Sequence, residues 1–166
     1  MEKRTKTKSP IRTAYIGIDP GANGGIAMIT VEHNWYAERF PIDKDPAKAK
    51  QLYKYMQMQS RNEGFETITY IENVHAMPND GRSSAFKFGV NYGMWFGITA
   101  NYKVNLVTPQ KWQSHYGQLP KDKSLRKRKL KEMAIEMVNN DVKPTLCTSD
   151  AILIANYGKE TFIETD

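Results

Sequence analysis

Three carboxylates stand where the sequence predicts a strand to end or a helix to begin. Asp19 closes Tyr15 to Asp19 ahead of Pro20, Glu72 closes T-I-T-Y-I-E, and Asp150 opens the last helical stretch. Strand ends and a helix N-terminus in an α/β sheet can meet at the edge where such sheets bind ligands. Hard oxygen donors, in a chain with one cysteine and three histidines, suit Mg²⁺ or Mn²⁺. Such a site can hold two ions ~3.5–4 Å apart, one activating water and one stabilising the leaving oxygen of a phosphodiester. Each acid also has a plainer reading. Asp19 reads equally as a turn residue beside glycines, Glu72 as an exposed strand end, and Asp150 as a first-turn acid complementing the helix dipole. The spacing of all three carries more weight than any one of them.

Cations are the second chemical signal. Lys121 to Lys131 contains seven basic residues and one acid, and Met1 to Arg12 adds five against one. The whole chain has 24 basic and 18 acidic residues, a net charge of +6. An excess gathered into two segments favours a polyanion partner. Arg126, Lys127, Arg128 and Lys129 are the candidates for phosphate contact, with a solvated charged face as the alternative. Cations near a helix N-terminus oppose its macrodipole, and a phosphate backbone or salt would relieve that repulsion. Leu130, Met133, Ala134, Met137 and Val138 mark the buried face of the same helix. His75, three residues past Glu72, reads either as a ring that stacks on an unpaired base or as an ordinary loop histidine. Arg82 ends a polar loop with Asn79, Asp80 and Gly81, which reads either as a DNA contact or as a plain connection.

The elements that must position these groups follow from periodicity. Residues 1–12 form a polar arm, read as mobile, and residues 13–166 a single domain. Tyr15 to Asp19, Ile26 to Val31 and Trp35 to Phe40 make an antiparallel meander around Gly21, Gly24 and Gly25. Asp45 to Arg61 is helical, with Leu52, Tyr55, Met56 and Gln59 at helical spacing. Thr67 to Glu72 is a strand. A helix capped by Ser83 or Ser84 runs to about Tyr102, and Asn105 to Val107 is a short strand. Pro109 starts a short helix, Asp122 or Ser124 a long one to about Asn140, and Thr148 or Ser149 the last. The expected fold is α/β, a mixed sheet of three antiparallel strands and then parallel ones, flanked by helices. With 166 residues, 40% of them apolar, the chain can bury one core. No run of 18 apolar residues occurs, so no membrane span is expected. A lone Cys147 excludes an internal disulfide and suits an intracellular setting.

The ordered blocks G-I-D-P-G-A-N-G-G-I-A-M-I, Y-I-E-N-V-H-A-M-P, F-G-V-N-Y-G, V-T-P-Q-K-W and S-D-A-I-L-I-A-N-Y-G resemble RuvC-type Holliday junction resolvases. The short versions carried by bacteriophages and prophages are the most similar subgroup, and the resemblance spans Tyr15 to Gly158. It implies an RNase H-like fold, a homodimer, and metal-dependent paired nicking of four-way and other branched DNA, in recombination and repair. If the chain is phage-encoded, the setting is the cytoplasm of a bacterial host. By position, Asp19, Glu72 and Asp150 match the metal-binding acids. Lys123 matches a lysine near the scissile phosphate, and His75 an aromatic wedge. Gln113 stands near another family lysine, whose role would be lost or pass to Lys111. The family's fourth acid or histidine, three to five residues before the last aspartate, is replaced by Thr145, Leu146 and Cys147, with Asp141 the nearest upstream acid. Two Mg²⁺ ions are therefore expected, exchangeable for Mn²⁺, the second held weakly.

Gly89, Gly93 and Gly97 recur every four residues on one helix, three times incurring a cost of ~1 kcal/mol against alanine. That register predicts a close backbone neighbour, either the chain's own sheet or the same helix of a second subunit. A junction-binding protein with a depleted metal site, and a nuclease for another nucleic acid such as an RNA–DNA hybrid, are the competing functions. A sugar kinase or related ATPase would share D-P-G-A-N-G-G but needs a second domain.

Overall fold

The structure, a computed structural model, describes residues 12–40, 45–75 and 81–162. Residues 1–11, most of the expected arm, and Asn79 and Asp80 lie outside these. Strands β1 (Arg12–Ile18), β2 (Gly25–Thr30), β3 (Trp35–Arg39), β4 (Phe65–Glu72) and β5 (Val104–Val107) form one sheet in the order β3-β2-β1-β4-β5. The first three pair antiparallel, and β4 and β5 continue parallel to β1. Arg12, assigned from sequence to the arm, instead opens β1 opposite Phe65.

β1 lies at the centre and is covered on both faces. Ala14, Ile16 and Ile18 face helices α1 (Pro46–Asn62) and α2 (Arg82–Thr99). Tyr15 faces the other layer of α3 (Pro109–His115), α4 (Lys123–Met137) and α5 (Ser149–Thr161). This period-two alternation is what a central strand buried on both sides requires. α5 is almost wholly buried from Ser149 to Gly158. Its approach depends on glycine: a Cβ on Gly17 would run into the Ala151 carbonyl and the Ala155 amide, and one on Gly158 would meet the Tyr70 ring at 2.5 Å.

Several boundaries differ from the sequence reading. α1 starts just after Asp45, which caps it, close to the expected start, but it buries Ala49, Tyr53, Met56, Gln57 and Ser60 and leaves Tyr55 exposed. The reason is polar: the Tyr53 hydroxyl meets Thr69 Oγ1 at 2.8 Å, and Gln57 donates to Tyr53 and meets Thr67. α2 starts at Arg82 after an extended Gly81, not at a serine cap, and the Ala85 amide bonds back to the Gly81 carbonyl. It ends at Thr99, and Tyr102 turns back onto the Thr99 carbonyl. α4 is capped by Asp122, whose carboxylate accepts from the Leu125 amide at 2.8 Å. It stops at Met137 because Val138 turns extended. No helix among the described residues is long and apolar enough to cross a membrane.

The expected close approach at the α2 glycines is corrected as far as the chain's own sheet goes. Among the described residues nothing lies within 4 Å of where a Cβ on Gly89, Gly93 or Gly97 would stand. The helix turns Trp95 inward, fully buried against Phe40, and leaves Phe86 and Val90 exposed.

Candidate active site

The sheet brings the three acids together by simple geometry. β1 and β4 are parallel neighbours with Ile18 opposite Ile71, so the next step places Asp19 level with Glu72. Adjacent strands are about 4.8 Å apart. Alternation from Ile68 and Tyr70 puts Glu72 on the α5 side of the sheet. The first turn of α5 reaches the end of β1 because Gly17 lets it, and Asp150 is in that turn.

The Asp19 loop is narrow. Asp19 Oδ1 accepts from the Gly21 amide at 2.9 Å, the Gly24 amide donates to the Gly21 carbonyl at 2.9 Å, and the Asp19 amide donates to the Gly25 carbonyl at 3.0 Å. A Cβ on Gly24 would strike the Asp19 backbone, and one on Gly25 would meet the Cys147 carbonyl at 2.7 Å. These glycines let the loop fold over its own aspartate and let the 145–149 turn close on it.

Glu72 is 8% exposed and receives a hydrogen bond from Trp112 Nε1 at 2.8 Å. Burial pushes its carboxyl up to about 8; the charge of Asp19 adds to this, the Trp112 N–H opposes it, Asp150 raises it further and Lys127 counteracts. Asp150 is pushed up to about 7 by burial and then by Asp19, against the pull of Lys127 and Arg126. Asp19 is raised by burial, offset by the Gly21 amide and Lys127. Three acids in a dry corner thus resist joint ionisation, as like charges near each other must. Lys127 is the cation that acts on all three.

Hard oxygens short of counter-charge fit Mg²⁺ or Mn²⁺ in donor chemistry. Among the described residues no three acidic, histidine or cysteine side chains stand close enough together, as placed, to hold a metal ion. In the turn before α5, where the resemblance implies a fourth acid or histidine, Thr145 spends its hydroxyl on the Cys147 and Thr148 amides at 3.2 Å each, and Leu146 is half exposed. Asp141 is exposed and is not among the charges acting on the three acids.

The basic candidates separate into groups. Lys127 and Arg126 are half-buried beside the acids, and Arg126 also donates to the Pro120 and Lys121 carbonyls at 3.2 and 3.1 Å. Lys129 pairs with Glu132 at 3.8 Å. Lys123 stands exposed at the first position of α4, one turn before Lys127, and Arg128 is also exposed. Lys111 is exposed on α3 and lines a cleft with Tyr70, Asn105 and Tyr157 at the β5 edge. His75 is exposed just beyond Glu72, and Arg82 is exposed at the start of α2.

Trp112 escaped the sequence reading as a site residue, although it is the one large apolar side chain in P-Q-K-W-Q-S-H. Asn91 and Tyr92 also escaped it. Asn91 donates to the Pro20 carbonyl at 2.7 Å, and the Tyr92 hydroxyl donates to Asn73 Oδ1 at 2.9 Å.

No protein-family model matches this chain, and no curated protein sequence does. Among solved structures it is similar to T. thermophilus RuvC in complex with a Holliday junction substrate, with a TM-score of 0.59 and 16% identity over 89% of this chain and 92% of that one. A Thermus thermophilus RuvC structure gives a TM-score of 0.50 and 14% identity over 89% and 95% of the two chains. The chain therefore has a RuvC-like, RNase H-like fold: a mixed five-stranded sheet with helices on both faces.

Proposed function

We propose that this protein is a metal-dependent endonuclease of branched DNA, acting as a homodimer on four-way junctions. The observation that carries this reading is the meeting of Asp19, Glu72 and Asp150 in one desolvated corner faced by Lys127. The similarity to a RuvC bound to a Holliday junction substrate supports the choice of nucleic acid.

Asp19, Glu72 and Asp150 would hold Mg²⁺ or Mn²⁺, which when bound supplies an activated water and charge stabilisation at the phosphodiester. Trp112 fixes one oxygen of Glu72 and leaves the other for the site. Lys127 provides a fixed positive charge where negative charge builds on the phosphate. Lys123, Arg128 and Lys129 continue the positive surface along α4 for the DNA backbone, with Arg126 held closer to the acids. Lys111 and Arg82 extend it from α3 and α2, and exposed His75 suits a wedge at unpaired bases. Such contacts position DNA without reading its sequence. The open glycine stripe of α2, beside exposed Phe86 and Val90, is the surface that suits a second copy. A two-fold dimer is the simplest way to make two symmetric nicks.

The reading is tested by incubating labelled four-way junctions, linear duplex and RNA–DNA hybrid with the protein in Mg²⁺, Mn²⁺ or chelator. Paired, metal-dependent nicks in the junction are expected. Cleavage of the hybrid in preference to the junction would redirect the substrate. A second reading, junction binding with little catalysis, draws on the Thr145 hydroxyl occupying itself where the family carries a ligand. Tight junction binding with no cutting in either metal would favour it.

A further inference from the structure

Two adjacent residues of α2 reach the ends of both central strands that carry acids. Asn91 is 6% exposed, and its single amide nitrogen donates to two carbonyls of the Asp19 loop, Pro20 at 2.7 Å and Gly21 at 3.2 Å. Those carbonyls flank the turn in which the Gly21 amide binds Asp19 Oδ1. A shift of this backbone must therefore move the carboxylate. Tyr92 does the same on the neighbouring strand, because Asn73, which accepts its hydroxyl, directly follows Glu72. Asn73 is held from its other side by its amide bond to the Val107 carbonyl at 2.7 Å. Phe88 stacks on the Tyr92 ring and Phe96 packs edge-on against it, so the hydroxyl has a fixed origin.

We propose that Asn91 is a positioning residue for Asp19, and that with Tyr92 it makes α2 a bracket setting the relation between Asp19 and Glu72. The proposal rests on the reading of these acids as metal ligands. The two residues touch neither substrate nor metal. Their role is to fix ligand-bearing backbone, as outer-shell partners do. Asn is the suited residue type: its NH₂ satisfies two carbonyls at once, which a hydroxyl with one hydrogen cannot. The bracket also joins the acids to the helix whose other side bears the open glycine stripe.

The test uses the full chain with Asn91→Ala, Asn91→Ser and Tyr92→Phe. Amide hydrogen exchange in chelator reads the loop without any metal. Residues Gly21 to Gly25 should exchange about tenfold faster in Asn91→Ala, with α5 unchanged, and Asn91→Ser should fall between it and the wild type. Mn²⁺ binding followed by electron paramagnetic resonance should weaken ~10–100-fold in Asn91→Ala, the usual range for lost outer-shell partners. In Tyr92→Phe the weakening should be smaller. On junctions, kcat should fall while KM stays constant. Wild-type loop exchange and Mn²⁺ affinity in a folded Asn91→Ala would overturn the proposal. So would faster exchange spread evenly over the molecule, which marks a merely structural role. If Asn91→Ala does not fold, Asn91→Ser and Tyr92→Phe decide by the same readouts. If the wild type binds no Mn²⁺ and cuts nothing, the metal reading fails separately, and loop exchange alone decides whether Asn91 holds the loop.

Discussion

Glycine does opposite work in two regions of this molecule. At the acid corner Gly17, Gly24 and Gly25 leave no room for a methyl group, because α5, the Asp19 backbone and the 145–149 turn have closed on them. Along α2, Gly89, Gly93 and Gly97 face open space and lie beside exposed Phe86 and Val90. The first set brings charged side chains together within one chain. The second leaves a helix face flat, at a cost in helix propensity that nothing in the described chain recovers. A glycine marks close approach only once its neighbour is known, and for α2 the proposed neighbour is a second subunit.

The corner should reveal itself first through pH. The folded pKa of Glu72, about 8, lies above its ordinary 4.5. Between those values the unfolded chain releases a proton that the native state keeps. The contribution to stability is complete below about pH 4.5 and is lost as pH rises through 8. In chelator, Tm should therefore fall from pH 5 to pH 8, and Glu72→Gln should flatten the fall. Added Mg²⁺ should raise Tm more at pH 8 than at pH 5. A chelated protein that gains stability over this range would contradict the shared desolvation of the acids.

Substitution of the glycines comes next. Gly17→Ala inserts a methyl group into the α5 backbone and should cost about 3 kcal/mol in denaturant unfolding, the upper end for overpacking. A loss under about 0.5 kcal/mol would mean that α5 stands off from β1. Gly93→Ala should do the reverse, gaining up to about 1 kcal/mol of helix stability with folding intact. Gly93→Leu should leave the subunit folded and reduce the dimer seen by light scattering. A Gly93→Leu protein as fully dimeric as the wild type would move the subunit contact elsewhere.

Much of this was legible in the chain. The Asp19-Pro20 stop, the T-I-T-Y-I-E strand, the helical run from Asp45, the Asp122 start of α4 and the order of strands and helices follow from local chemistry, and the structure has them. The buried face of α1 was legible only in part: Met56 is buried, as its spacing suggests, but Gln57 is held by Tyr53 and Thr67 and Ser60 by the Met28 sulfur, which hydrophobic spacing does not register. The start of α2 was missed because Gly81 serves as cap without a side-chain bond. Trp112, Asn91 and Tyr92 act across 40, 71 and 19 residues of sequence, so no local pattern announces their partners. The buried face of α4 at Leu130 and Ala134 was legible, but which cation of the basic run meets the acids was not: that depends on where the helix docks, which leaves Lys127 half-buried near them and Arg128 exposed.

The central claim is that the three acids form one metal-dependent cutting centre, and Asp19→Asn tests it most directly. The substitution removes a charge and keeps the shape, so the fold and the positive surface should persist. Junction affinity measured in chelator should match the wild type, while cutting in Mg²⁺ and Mn²⁺ should fall to background. Full cutting by Asp19→Asn, or cutting by the wild type in excess chelator, would contradict the account.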